Sequence, residues 1–164
     1  GTKSGGFTMP GTVYIIGAGA SFSDTRTMEI SLPLARGFFN KKLIEKYWEG
    51  ATNVDFLSSD LVKIITHYFD VDLQHMGGEI WDTNIEDIYS FLETSINIYP
   101  NAIHLDRAQF RSALEQLQKY ISAVVYYIPF NNKHSEFHSY LANTLKESDS
   151  VISFNWDLLL ENFL

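Results

Sequence analysis

A short apolar segment that runs directly into a glycine-rich turn most constrains how this chain can fold. Val13–Ile16 contains four β-favouring apolar residues, and Gly17-Ala18-Gly19-Ala20-Ser21 follows at once. This pattern is typical of a buried parallel strand that leads into a phosphate-binding loop. We expect Gly17 and Gly19 to allow a tight turn and a close ligand approach, with a pyrophosphate held by N–H groups at a following helix start. The alternative is a strand–turn–helix corner without a ligand.

A second apolar strand lies near the other end of the chain. The stretch Ser150-Val151-Ile152-Ser153-Phe154 is followed by Asn155 and Asp157. Ligands of open α/β sheets bind outside the carboxyl ends of the strands, so the ends of both strands could face one crevice. Asn155 and Asp157 could also cap a helix, and that role is compatible with ligand binding.

The composition excludes several classes of function. The chain has 164 residues, of which 45% are hydrophobic, so it can bury a sizeable core. Its net charge of −8 argues against nonspecific nucleic-acid binding, which needs a basic face. It contains no cysteine, which excludes disulfides and thiolate zinc sites and fits a cytoplasmic protein. No apolar run approaches the roughly 20 residues of a membrane span.

Helical periodicity dominates the region between the two strands, about 33–147. After a flexible leader over 1–11, we expect a long loop over 17–32 and helices over about 33–48, 54–69, 83–99, 106–128 and 134–147. Gly50 and Pro129 are expected to end two of them, and Thr83-Asn84-Ile85-Glu86 reads as a capping box. The chain is therefore predicted to be α/β. Because it stops within an apolar run at Leu164, and two strands are too few for a sheet, we expect a truncated domain.

Isolated ionisable residues give weaker signals. His134 and His138 are four residues apart, but the glutamate between them is not at the position that a zinc-protease helix requires. We therefore interpret both side chains as lying on a solvated helix face. Glu86 is interpreted as completing the capping box at a helix N-terminus. Arg26 and Arg36 are near the glycine turn in sequence, and each could bind a phosphate or remain solvated.

The glycine turn lacks the two common nucleotide-binding patterns. No Gly-Lys-Ser or Gly-Lys-Thr follows it, and the third glycine of the dinucleotide fingerprint would fall at Phe22. These departures argue against a standard dehydrogenase, but they leave a nicotinamide cofactor open.

Three segments, in the same order along the chain, resemble motifs of the sirtuin superfamily. The turn over 17–21 resembles Gly-Ala-Gly-x-Ser, and Leu32-Pro33-Leu34-Ala35-Arg36 resembles the Ile-Pro-Asp-Phe-Arg of the cofactor loop. Ser153-Phe154-Asn155-Trp156-Asp157 resembles the Thr-Gln-Asn-Ile-Asp strand end. The segment Phe-Asn-Trp-Asp-Leu-Leu-Leu-Glu at 154–161 and the segment Asn-Ile-Glu-Asp at 84–87 are similar to segments of the SIR2-like domains of bacterial defence proteins. The region between these segments resembles the family only in being rich in helix, without a shared motif.

The resemblance implies an NAD-binding, Rossmann-like parallel sheet with a large helical insertion at about 33–147. Residues 12–164 would form the N-terminal portion of this SIR2-like domain. In the family, the turn holds the pyrophosphate, the arginine lies by the cofactor, and the Asn and Asp face the nicotinamide and its ribose. Carried over, the cofactor-binding residues are Gly17, Ala18, Gly19, Ala20, Ser21 and Arg36, and the catalytic residues are Asn155 and Asp157.

The resemblance further implies that the parent protein hydrolyses NAD at the nicotinamide–ribose bond, in bacterial antiphage defence. The cysteine zinc module of the deacylases cannot exist here, so no zinc is expected and hydrolysis is favoured over deacylation. The family's catalytic histidine would lie after residue 164, so the fragment itself is expected to be inactive. The alternatives are a non-catalytic nucleotide-sensing or assembly module and a sirtuin-type NAD-dependent deacylase. Besides NAD, two kinds of partner are left open: a second copy of the chain, in a homo-oligomer, and an effector protein.

Overall fold

The computed structural model describes residues 11–26, 30–69, 71, 83–98, 107–131 and 135–155. Within these ranges the chain is mixed α/β and mostly helical, with a small parallel sheet of two strands. β1 (Val13–Ile16) pairs in parallel with β2 (Ser150–Ser153), so that Val13 lies opposite Ser150 and Ile16 opposite Ser153. The carboxyl ends of the two strands therefore lie side by side.

A helix, α1 (Ala18–Thr25), begins directly after β1, so the prediction of a loop over 17–32 is wrong in its first half. The sequence of α1 shows no run of apolar residues at helical spacing. Buried polar side chains and their hydrogen bonds hold the helix instead. Ser21 and Thr25 are buried, and the Thr25 hydroxyl donates to the Ser21 carbonyl at 2.9 Å. The N-cap residue Gly17 has φ −121° and ψ 170°, an extended conformation that any residue adopts, so the turn does not need a glycine for its backbone.

The next helices begin later than their apolar residues predicted. Residues 33–40 and 54–59 are not helical. The side chain of Asn40 accepts from the N–H of Lys42 at 2.8 Å, and the Ser59 hydroxyl accepts from the N–H of Val62 at 3.2 Å. Asn40 caps α2 (Lys41–Leu43), which continues into a π-helical turn (Ile44–Trp48) and α3 (Glu49–Thr52). Ser59 caps α4 (Asp60–Tyr68). Gly50 lies inside α3, and the helix ends instead at Asn53, which is left-handed with φ 58°.

The remaining helices agree better with the predicted boundaries. They are α5 (Ile85–Ile98), α6 (Arg107–Asn131) and α7 (Glu136–Thr144). At the start of α5 the Asn84 side chain accepts from the N–H of Glu86 at 3.0 Å, so Asn84 rather than Thr83 provides the cap. The helix α6 continues two residues beyond Pro129. Proline costs a helix one hydrogen bond and crowds the preceding turn, but this does not end α6 before Asn131, so the predicted end at Pro129 is wrong by two residues.

Most of the apolar side chains form one core around α6. That helix packs against α3, α4 and α5, and the π-helical turn also contacts it. Trp48, Leu61, Ile88, Leu117 and Tyr120 are all buried in this core. The helical middle of the chain is therefore a packed unit with its own interior.

A second, smaller core joins the sheet to α7 and α1. Ile16 and Leu141 are buried there, and Tyr14, Ala20 and Val151 pack against them. In the described residues this covers one face of the sheet.

The other face of the sheet is open in the described residues. Val13 is 58% exposed, Ile15 71% and Phe154 70%, so β1 is not the fully buried strand that its composition predicted. Within the described ranges, no helix combines the length and the apolar character that crossing a membrane requires.

Candidate functional site

The carboxyl edge of the sheet brings together two segments that are far apart in sequence. The side-chain amide of Asn155 donates to the Ser21 hydroxyl at 2.9 Å, across 134 residues. The N–H of Phe154 donates to the carbonyl of Ile16 at 2.9 Å and continues the ladder past β2. The predicted cofactor-binding residue Ser21 and the predicted catalytic residue Asn155 are therefore in direct contact.

Asn155 also presents an acceptor at this edge. Its backbone N–H donates to the Ser153 hydroxyl at 3.3 Å, which helps to fix the residue after β2. Its Oδ1 atom is buried, and no donor among the described residues bonds to it. A buried carbonyl oxygen without a donor costs about 1–3 kcal/mol, so its presence requires an explanation.

The surface over the glycine turn is open. A Cβ atom added at Gly17 or at Gly19 would meet nothing within 4 Å, and neither residue has a positive φ. Gly17, Ala18 and Gly19 are exposed, whereas Ala20 packs in the small core. Neither internal packing nor backbone conformation therefore requires glycine here. What the glycines provide is room for a group that approaches the first N–H groups of α1 from outside.

A cavity of about 110 Å³ lies beside the turn. Its walls come from the start of α1, the loop over 32–38, the first turn of α5, the C-terminal half of α6 and the residue after β2. Nine of its ten lining residues are apolar, and the tenth is a glutamate. The lining residues are Ala18, Leu32, Pro33, Leu34, Ala35, Phe38, Ile85, Glu86, Val125 and Phe154.

Two hydrogen bonds fix the loop over 32–38 against its neighbours. The Thr25 hydroxyl accepts from the N–H of Leu32 at 2.8 Å, which ties the loop to the end of α1. The carbonyl of Ala35 accepts from the N–H of Ile85 at 2.9 Å, which ties the loop to the start of α5. The sequence analysis did not identify Thr25, because its partner is set by the fold.

A third hydrogen bond holds the loop from the core side. The hydroxyl of Tyr120 donates to the carbonyl of Phe38 at 2.6 Å, and Tyr120 is fully buried. Burial and, to a smaller extent, the neighbouring Tyr47 raise the pKa of Tyr120 well above its ordinary value. The phenol therefore stays a donor at all working pH values, and the cavity wall is anchored on three helices.

The other predicted site residues lie differently. Arg36 is exposed and follows the lining residue Ala35, but it does not line the cavity itself. Asp157 lies outside the described residues. Glu86 was interpreted as part of a capping box, yet among the described residues its carboxylate accepts no bond from the N–H of Thr83, and it lines the cavity instead.

The interpretation of His138 as a solvated residue is wrong. Its side chain is fully buried, and its Nδ1 atom lies 2.6 Å from Oδ2 of Asp24 and 2.8 Å from the Ser135 hydroxyl. The Ser135 hydroxyl also donates to Asp24, and the carboxylate accepts the N–H groups of Phe137 at 3.2 Å and of His138 at 3.3 Å. Partial burial alone would raise the pKa of Asp24, but these hydrogen bonds outweigh it and hold the pKa below its usual value.

The cluster of Asp24, Ser135 and His138 is a joint between α1 and α7. Asp24 and Ser135 both reach the same nitrogen of His138, whereas a Ser–His–Asp relay uses the two ring nitrogens separately. The carboxylate instead caps the N-terminus of α7, where a negative charge is favoured. Ser135 is the N-cap of α7, where its hydroxyl accepts from the N–H of His138 at 3.1 Å, and its partner Asp24 is 111 residues away in sequence.

In the part of the chain that the structure describes, no three His, Asp or Glu side chains are arranged to hold a metal ion. Comparison of the chain with family models, curated proteins and solved structures gives no match. Function is therefore inferred from the geometry at the carboxyl edge of the sheet.

Proposed function

We propose that this chain is the NAD-binding part of a SIR2-like domain with a Rossmann-like sheet, and that its parent protein hydrolyses NAD at the nicotinamide–ribose bond. The observation that carries the proposal is the hydrogen bond between Asn155 and Ser21. It joins the two segments that resemble the cofactor turn and the catalytic strand end of that family. The contact lies at the carboxyl edge of a parallel pair, where α/β sheets bind their ligands.

The open surface over Gly17 and Gly19 supports a pyrophosphate at the turn. A phosphate oxygen can reach backbone N–H groups only where no side chain stands in the way, and a Cβ at either glycine would meet open space. The first N–H groups of α1 and the positive end of its dipole favour an anion at this place.

The apolar cavity supports binding of one ring of the dinucleotide. Its volume of about 110 Å³ is well below the roughly 300–1,000 Å³ of pockets that enclose drug-sized ligands. It therefore suits a single heterocycle, with the remainder of the ligand lying over the turn. Ala18 and Phe154 line the cavity and follow β1 and β2, so a ring in the cavity and a pyrophosphate on the turn would be adjacent.

The chemistry assigned to this arrangement is hydrolysis of the N-glycosidic bond. The bond breaks with its electron pair going to the nicotinamide, which leaves neutral, while water adds to the ribose carbon and loses a proton. The ribose develops oxocarbenium character, which preorganised polar groups stabilise. Asn155 would orient the attacking water or a ribose hydroxyl, from its position beside Ser21 at the end of β2.

The test is the release of nicotinamide from NAD by the parent protein and by its Asn155→Ala variant. We expect the variant to lose about 100-fold or more of the rate, as for other removed polar groups at a reacting centre. Asn143→Ala is the matched control, because Asn143 is an exposed asparagine on α7. Undiminished release by Asn155→Ala would remove Asn155 from the catalytic assignment.

A non-catalytic nucleotide-sensing module is the second candidate. Among the described residues, Asn155 makes hydrogen bonds to Ser21 and Ser153, and no titratable side chain bonds to it. A sensor would bind NAD and release no nicotinamide, so calorimetric binding measured beside the release assay separates the two functions.

A further inference from the structure

The cavity beside the glycine turn carries charge at one place. Glu86 is the sole ionisable residue among those that line it, and its neighbours in the wall, such as Ile85, Val125 and Phe38, are apolar. Among the described residues, the ion pairs join Lys41 to Glu45, Lys63 to Asp60, Lys119 to Glu115 and His138 to Asp24. Glu86 is exposed, and it is the residue through which the described lining can offer a negative charge to a group in the cavity.

The first turn of α5 holds Glu86 at this position. The N–H of Glu86 donates to the Asn84 side chain at 3.0 Å, and the N–H of Ile85 donates to the carbonyl of Ala35 at 2.9 Å. Ile85 is completely buried and anchors the turn in the main core. The backbone that carries the carboxylate is thus fixed on both sides before any ligand binds.

We propose that Glu86 recognises the positive charge of the oxidised nicotinamide ring, so that the site binds NAD⁺ in preference to NADH. The inference rests on the proposed function and assigns a specificity-determining residue to the same cavity. The two dinucleotides share every other group, and the ring is a cation in one and neutral in the other. The lining of the cavity is otherwise apolar, so Glu86, although exposed, is the described lining residue that can meet the positive charge of the ring.

The neighbouring residue Asp87 provides a matched control. It is also an exposed carboxylate in the first turn of α5, but it does not line the cavity. Asp87→Asn therefore removes the same unit of charge from the same helix end as Glu86→Gln. Any effect of net charge or of the helix dipole should appear in both variants.

The experiment is a calorimetric titration of the protein and of both variants with NAD⁺, NADH and ADP-ribose. We expect the unaltered protein to bind NAD⁺ about tenfold more tightly than NADH, the size of effect that one partly shielded charge pair produces. Glu86→Gln should lose most of this preference by weakening NAD⁺ binding, and it should bind ADP-ribose, which lacks the ring, as before. Asp87→Asn should retain the preference.

Two kinds of failure can be told apart. If NAD⁺ and ADP-ribose bind but Glu86→Gln keeps the ratio of NAD⁺ to NADH affinity, or weakens ADP-ribose equally, the role of Glu86 is refuted and the proposed function stands. If none of the three ligands binds to the unaltered protein, the proposed function fails and the inference fails with it.

Discussion

Oδ2 of Asp24 lies 2.6 Å from Nδ1 of His138, and this contact joins the helix after the glycine turn to the helix before β2. The side chain of His138 is 0% exposed and that of Asp24 is 8% exposed, so water does not compete for the contact. Because α1 and α7 both pack on the covered face of the sheet, the pair also holds the glycine turn in place relative to the end of β2.

Asp24→Asn should destabilise the protein by about 2–3 kcal/mol, the size expected when one partner of a buried charged or hydrogen-bonded pair is changed. The variant should also be less sensitive to acid. The pKa of Asp24 is lowered in the fold from its ordinary 3.8, so the unfolded chain takes up this proton first as the pH falls. The stabilising contribution is full above about 3.8 and is lost as the pH falls through the lower folded value. Denaturant unfolding between pH 6 and pH 3 measures both effects.

Asp87→Asn is the control for Asp24→Asn, because it removes an exposed carboxylate and should change the free energy of unfolding by less than about 0.5 kcal/mol. The role of the joint is contradicted if the two variants unfold alike, or if the free energy of unfolding of Asp24→Asn falls with acid as steeply as that of the unaltered protein.

Tyr120→Phe should lower the free energy of unfolding by about 1–2 kcal/mol, because it leaves the carbonyl of Phe38 without its buried donor. Burial keeps the Tyr120 phenol protonated by raising its pKa, so the loss should be the same at pH 6 and at pH 9. Tyr140→Phe is the control, since Tyr140 is 71% exposed on α7. Equal stability of the two variants at both pH values would show that the hydrogen bond does not anchor the cavity wall.

The sequence predicted the parallel pair of strands and the helical middle, because both depend on local apolar patterns. The strands at both ends of the chain do pair in parallel, and α5 and α6 begin within two residues of their predicted starts. The late starts of α2 and α4 differ from the prediction because apolar residues at helical spacing extend into 33–40 and 54–59, ahead of the starts that the caps Asn40 and Ser59 define. The capping preference of those residue types was readable from the sequence.

Other features could not be read from the sequence, because they depend on partners that only the fold brings together. The helix α1 has polar residues without an apolar period, and it is held by Thr25 and Asp24 through contacts to Leu32 and to α7. The burial of His138 depends on Asp24, 114 residues away. Glu86 carries the same capping signature whether or not a cavity lies beside it, so its position in the wall emerged only from the structure.

The central claim is that the glycines of the turn serve a ligand and not the fold, and Gly19→Ala tests it most directly. A Cβ at Gly19 meets nothing within 4 Å and α1 is helical there, so the variant should be as stable as the unaltered protein or more stable by up to about 1 kcal/mol. Gly50→Ala is the matched control, because Gly50 lies in α3, also has open space around its added Cβ, and lines no part of the cavity.

The decisive measurement is the dissociation constant for NAD, obtained by calorimetry for the unaltered protein, Gly19→Ala and Gly50→Ala. The account predicts that Gly19→Ala weakens NAD binding about tenfold or more while its thermal midpoint stays the same or rises, and that Gly50→Ala binds NAD as the unaltered protein does. NAD binding by Gly19→Ala that is as tight as in the unaltered protein, or no binding of NAD by the unaltered protein, would contradict it.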